Sequence, residues 1–329
     1  MLRSETAQSP ERRAAALAGL AAYQAAPRPA RAPPMPTIAM AGRASLRDYG
    51  GVGAPVVFVP SLINPPFVLD LAPEASLLRW LVALGHHVLM VDWGTPAPAD
   101  RADTITVHIE AMLLPMLRTL PQPPVLVGYC LGGTMALAAA SVTPVRGVAL
   151  LAAPWHFARF DDDARAAVAA LWRAAAPACE ALGLVPMEVL QAGFWRLDPA
   201  RTVAKFEALA DADADTLARF VALEDWANAG APLTLAAGQQ LFERFFDADD
   251  PGSGRWEVAG RIASPAAIDA PTIEFVSTVD RIVPAASRAG LADHREIAAG
   301  HVGMVVGSRA RTLLWEPLDD WLKALPAPR

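Results

Sequence analysis

Ten residues constrain this chain more than any other stretch: Val125-Leu126-Val127-Gly128-Tyr129-Cys130-Leu131-Gly132-Gly133-Thr134. The continuous apolar run at their start reads as a strand buried on both faces, and the alanine-rich stretch behind them reads as a helix. Between the two stands one reactive side chain with glycine two residues to either side. Such a turn forces its central residue into a strained backbone conformation. A neighbouring Cβ would strike the adjoining strand or helix, so small residues are required there. This is a nucleophile elbow with cysteine in the usual serine position. The thiol would end up at a helix N-terminus, whose free amides and partial positive charge favour thiolate. Glycine, any residue, cysteine, any residue, glycine is a weak pattern alone. Its place between a strand and a helix gives it weight.

The rest of the chain agrees with that setting. Short apolar runs recur at Pro55 to Pro60, His87 to Asp92, Pro124 to Gly128, Gly147 to Leu151 and Pro271 to Ser277, separated by helical stretches. This alternation predicts an α/β chain with a mostly parallel, doubly wound sheet and crossover helices. Together with the elbow it points to an α/β-hydrolase fold. Residues 1–43 read as an N-terminal helix and a linker, because five prolines between Pro27 and Pro36 cannot continue a helix. Residues 44–154 and 268–329 read as the hydrolase core. Residues 155–267, Ala-rich, acidic and without a convincing strand, read as a helical cap insertion. Its tryptophans, Trp172, Trp195, Trp226 and Trp256, are expected to pack that insertion onto the core.

Composition removes other classes. With 34 acidic against 28 basic side chains and a net charge of −6, the chain lacks the basic face that nucleic acid requires. Two cysteines, Cys130 and Cys179, are too few for a disulfide framework in 329 residues, which fits a reducing cytoplasm. Cys179, inside the helical insertion, reads as inert. Arg3, Arg12 and Arg13 precede an apolar stretch, but it is rich in alanine rather than leucine and Glu5 and Glu11 flank it, so a short amphipathic helix is expected rather than a leader. No run reaches the roughly 18 apolar residues that span a bilayer.

A nucleophile on this fold expects an acid and then a histidine later in the chain, each in a loop after a strand. Asp280 follows the apolar run Thr272 to Val276, and His301 stands between Gly300 and Gly303 shortly before a final helix. His301 would take the thiol proton and Asp280 would orient its ring. Asp92 and Asp293 are the alternatives to Asp280. His86 and His87 are adjacent on a strand and face opposite sides, so no metal site is expected; His294 lacks the glycine setting. The oxyanion hole needs two amides. Leu131 supplies the first, and Leu62, with Ser61 beside it, is expected to supply the second.

These segments together are similar to the polyhydroxyalkanoate synthases. Gly128 to Thr134 resembles their lipase-like box with cysteine for serine. Val59-Pro60-Ser61-Leu62-Ile63-Asn64 with Val68 to Leu71, Val91-Asp92-Trp93-Gly94-Thr95-Pro96, Asp280 with Pro284, and Gly300-His301 resemble further landmarks in the same order. The chain departs from the family at Ser61, where a second proline is expected, and at Gly94, where a basic residue is. The short N-terminal segment, Leu223 to Trp226 and Phe242 to Phe246 look most like the small catalytic subunits that work with a second subunit. The resemblance implies that Cys130 takes 3-hydroxyacyl groups from coenzyme A, that His301 activates it, and that Asp280 orients the histidine or helps activate the hydroxyl of the incoming unit. It also implies 3-hydroxyacyl-CoA, a second synthase subunit, a homodimer and a polyester granule surface as partners. Apart from the coenzyme A thioester as substrate, it implies no cofactor, and it implies a cytoplasmic, granule-associated location. The same triad suits a thioesterase or a depolymerase if water reaches the acyl-enzyme. A non-catalytic granule protein would be expected to carry a broken triad, and all three residues are present here.

Overall fold

A computed structural model of the chain describes residues 2–28, 33–197 and 199–326; residues 29–32 of the proline-rich linker, with its Pro29, lie outside these, as does the side chain of Trp195. Its frame is an eight-stranded sheet: β1 (Thr37–Ala41), β2 (Ala44–Gly50), β3 (Val52–Val59), β4 (His86–Asp92), β5 (Val125–Tyr129), β6 (Gly147–Leu151), β7 (Thr272–Ser277) and β8 (His294–Ile297). The spatial order is β1-β2-β4-β3-β5-β6-β7-β8. From β4 across to β8 every pairing is parallel, while β2 runs antiparallel to both β1 and β4.

The five strands read from apolar runs are the middle of this sheet. They are apolar on both faces because both faces are covered. Val57, Val59, Leu89, Val91 and Leu126 belong to one buried layer, while Val56, Phe58, Val88, Met90, Val125 and Val127 belong to the other. The sheet nevertheless opens at Thr37, earlier than the expected core boundary at residue 44. β1, β2 and β8 were not foreseen: outer strands are half solvated, and β8 reads His-Arg-Glu-Ile with only Ile297 buried.

Eight helices matter to the site: α1 (Pro10–Ala25), α2 (Leu77–Ala83), α3 (Leu131–Ala140), α4 (Asp162–Leu182), α5 (Met187–Leu197), α6 (Pro199–Glu207), α7 (Ala214–Asn228) and α8 (Glu316–Ala324). α3 leaves β5 with all ten of its residues buried, which its alanines permit. Helices α4 to α7 form the cap insertion. Two two-residue ladders also lie in the insertion, Leu184–Val185 against Leu233–Thr234 and Glu257–Val258 against Arg261–Ile262, so the expected absence of strands there is corrected. Paired segments that short leave no periodicity to read.

Trp256 ties the cap to the core as expected, donating to Thr106, whereas these partners of Trp172 lie within the insertion itself: it stacks on Phe242 at 4.9 Å and donates to Glu243. The N-terminal helix α1 does not stand apart. Tyr23 packs edge-on against Phe206 and Phe220 and donates to Asp225 at 2.6 Å, and Arg12 pairs with Glu207. At Gly19 an added Cβ would lie 1.8 Å from the Phe206 carbonyl oxygen, so α1 sits backbone to backbone against the end of α6. Among the described residues no helix is long and apolar enough to cross a membrane.

Candidate active site

Parallel strands put their C-terminal ends on one edge, and there the chemistry gathers. Cys130 follows β5 directly and has φ 56° and ψ −132°, a conformation side chains rarely adopt. Its amide donates to the Leu151 carbonyl at 3.0 Å and its carbonyl accepts from Gly133 at 2.8 Å, which fixes the turn from both sides. The flanking glycines have no alternative. A Cβ on Gly128 would lie 2.4 Å from the Gly133 Cα, and one on Gly132 would lie 2.1 Å from the Val59 carbonyl oxygen.

β7 and β8 pair in parallel with Ser277 beside Ile297, so the loops that leave them run together. Ser277 hydroxyl donates to the Ala299 carbonyl, tying the two loops. Asp280 leaves the first loop and His301 the second. The His301 Nδ1 and the Asp280 Oδ2 are 2.6 Å apart, and the Asp280 side chain is fully buried. The other carboxylate oxygen, Oδ1, accepts the amides of Ile282 at 2.7 Å and Val283 at 3.1 Å. Cys130 lines the same cavity as the ring and acts on its charge. The three predicted residues therefore meet in one array. Asp92 is occupied by Arg47, Asp293 by Arg295, and His86 and His87 by Asp319 and Asp48.

Electrostatics follow from this packing. Burial works against a charged His301, but the negative charges of Cys130 and Asp280 outweigh it and push its pKa up to about 10. Sequence reading missed Tyr129. Its ring stacks on His301 with centroids 5.0 Å apart, and its hydroxyl donates to the His301 carbonyl at 3.3 Å. Burial, reinforced by the charges on Cys130 and Asp280, holds this phenol well above its ordinary pKa, so it stays neutral and braces the imidazole. Its place beside the nucleophile was the only available signal. Cys179 is fully buried, and burial pushes its thiol up, as an inert cysteine requires.

A cavity of about 220 Å³ opens on Cys130 and His301. Its second side is the loop after β3, held at both ends: Trp93 donates to the Pro60 carbonyl at 3.0 Å and Trp226 of α7 donates to the Pro65 carbonyl at 2.8 Å. Ser61 lines the cavity, whereas the Leu62 side chain packs into the core. Leu131 begins α3, where the first amides have no partner within the helix. At Gly94, φ is +67° and a Cβ would meet the Arg43 carbonyl oxygen at 2.5 Å, so the basic residue expected there has no room. No group of three or more His, Cys, Asp or Glu side chains suited to a metal occurs among the described residues.

Comparison with known proteins agrees with this geometry. Residues 54–186 match the family model of the alpha/beta hydrolase fold. The poly(3-hydroxyalkanoate) polymerase subunit PhaC of Haloferax mediterranei is 27% identical over 292 residues, covering 81% of this chain and 58% of that protein. The chain thus spans less than two thirds of the length of some of the relatives it matches. The subunit of the same name from Allochromatium vinosum is 27% identical over 289 residues, covering 82% of this chain and 80% of the other. Among solved structures, Rv0554 of Mycobacterium tuberculosis superposes with a TM-score of 0.55 at 17% identity, covering 88% of this chain and 99% of that one, a likeness of fold alone. Fold, ordered landmarks and relatives together make this chain similar to the polyhydroxyalkanoate synthases, on an α/β-hydrolase fold.

Proposed function

We propose that the chain is an acyltransferase that polymerises 3-hydroxyacyl units from coenzyme A thioesters through an acyl-thioester on Cys130. The observation that carries this is the Cys130–His301–Asp280 array facing a cavity of about 220 Å³. In the first step the Cys130 sulfur attacks the thioester carbonyl. The carbon–sulfur bond to coenzyme A breaks, and the departing thiolate takes the proton held by His301. In the second, the hydroxyl of another unit attacks the Cys130 thioester and gives its proton to His301. A carbon–oxygen bond forms and the bond to Cys130 breaks. The developing oxyanion is held by the Leu131 amide and by an amide of the loop after β3. Ser61 is the better candidate than Leu62, because Ser61 lines the cavity.

Both Asp280 oxygens are already engaged, one by His301 and one by two amides. That occupancy favours the orienting role over direct activation of the hydroxyl. We assign residues 37–154 and 268–329 to the catalytic core and 155–267 to its cap. The relatives' description as subunits supports a partner subunit for this chain too. A thiol nucleophile favours transfer over hydrolysis, since thiol–thioester exchange costs little free energy.

The test is incubation of the purified chain with 3-hydroxybutyryl-CoA, following free coenzyme A and product size, with Cys130→Ala as control. Cys130-dependent release with polymer is expected. Release with only monomeric acid would replace the synthase by a thioesterase. No release, with a candidate partner subunit and longer acyl chains supplied, would overturn both.

A further inference from the structure

The cap contributes a charged pair to the catalytic cavity that the triad does not use. Lys205 of α6 and Glu224 of α7 line the same cavity as Cys130 and His301. The Lys205 Nζ donates to Glu224 Oε1 at 2.8 Å and Oε2 at 2.6 Å. Asn228 of α7 donates to Oε1 at 3.2 Å, and the Phe206 ring lies 5.3 Å from the ammonium. Glu224 is buried, and much of the remaining wall is apolar, formed by Val68, Trp226, Ile282 and Val302.

Such a pair is a poor stability device. Glu224 is buried while the Lys205 side chain is 32% exposed, and an ion pair that stays partly open to water contributes little stability. An acyl chain without polar substituents would want only an apolar wall. The bonding capacity of the pair suggests its use. An ammonium has three N–H donors, and two of them serve Glu224. Among the described residues no further acceptor is bonded to the third, and Lys205 lines the cavity. Glu224 Oε2 accepts from Lys205 and retains a lone pair. A hydroxyl group both accepts and donates, so one hydroxyl satisfies the two together.

We propose that Lys205 and Glu224 are specificity residues that bind the hydroxyl of the acyl group entering the Cys130 site, with Lys205 donating to its oxygen and Glu224 Oε2 accepting its proton. This rests on the acyl-transfer reading above and names how that site selects hydroxylated chains. Asn228 holds the carboxylate in place.

The test is acylation of Cys130, read by intact-protein mass spectrometry, with 3-hydroxybutyryl-CoA and butyryl-CoA in competition. The wild-type chain should prefer the hydroxylated thioester by at least ~10-fold, since a site built to bind a hydroxyl leaves buried polar groups unpaired when the hydroxyl is missing. Glu224→Gln and Lys205→Met should each bring the ratio towards one, and Lys205→Arg should retain most of it. Circular dichroism checks that each variant is folded; if one is not, the other still reads the ratio. A wild-type chain without preference, or an unchanged ratio in a folded variant, overturns the role of the pair while leaving acyl transfer intact. No acylation of the wild-type chain by either thioester overturns both readings.

Discussion

The helix behind Cys130 and the helices over it are built on opposite terms. α3 buries all ten residues between strand and sheet neighbours, so no part of it can shift without opening the core. In α4 only Trp172 and Cys179 of 21 residues are buried, and in α7 only Val221, Glu224 and Trp226 of 15. α1, which straps the cap, buries only Ala16 and Gly19. Segments with few buried contacts open at the least cost. Cys130 therefore shares the stability of the whole fold, whereas Lys205, Glu224 and Trp226 stand on the side where local opening is cheapest. Under the proposed function, a site divided this way would hold the sulfur still while one wall of its cavity yields.

That contrast can be broken or sharpened by substitution. The largest effect belongs to the rigid side. Asp280→Asn should lower kcat for Cys130-dependent transfer by about 10³–10⁴-fold, as loss of an orienting carboxylate does in comparable triads. A loss under ~10-fold would mean that the ring is positioned by Tyr129 alone. The charge at Asp280 also sets a pH window. His301 is raised in the folded protein, so its contribution to stability is full below its unfolded pKa of about 6.5 and is lost as pH rises through about 10. In Asp280→Asn and in Cys130→Ala that loss should begin at lower pH, which NMR titration of the His301 ring or melting curves from pH 6 to 11 would reveal.

Next come two glycines. Gly132→Ala drives a Cβ to 2.1 Å from the Val59 carbonyl oxygen and should cost about 3 kcal/mol or more by chemical denaturation. Gly19→Ala makes a nominally worse clash, 1.8 Å from the Phe206 carbonyl oxygen, yet should cost only about 1 kcal/mol, because α1 can ride outward and the helix gains propensity. Hydrogen exchange should then rise in α6 and α7 but not in β5. Equal costs at the two glycines would abolish the distinction between scaffold and cap. The smallest effect is expected from Tyr23→Phe, which removes the bond to Asp225 at a partly exposed site and should cost ~0.5–1 kcal/mol, with the same pattern of exchange.

The legible parts of this protein are those where one residue's requirements are severe. The elbow could be read because only glycine fits at 128 and 132, and the inner strands because burial on both faces demands unbroken apolar runs. Asp280 and His301 followed from their places after a strand, although nothing in their local sequence shows that Ser277 ties the two loops. The edge strands could not be read, since a half-solvated strand such as His294–Ile297 accepts nearly any polar residue. Tyr129 stood within the elbow, but stacking on a histidine 172 residues away leaves no local trace. The Lys205–Glu224 pair was illegible for the same reason: neither residue is unusual in an acidic, Ala-rich helical segment until the cap is folded over Cys130.

The docking of α1 also sets a timetable. Its partners Phe206, Phe220 and Asp225 lie about 200 residues further along the chain, and ribosomes add roughly 5–20 residues per second, so α1 waits some 10–40 s for its dock to be made. A lone helix of 16 residues is marginal in water over that interval. The helix that straps the cap is thus synthesised well before the residues it docks on, and is among the last to find its place.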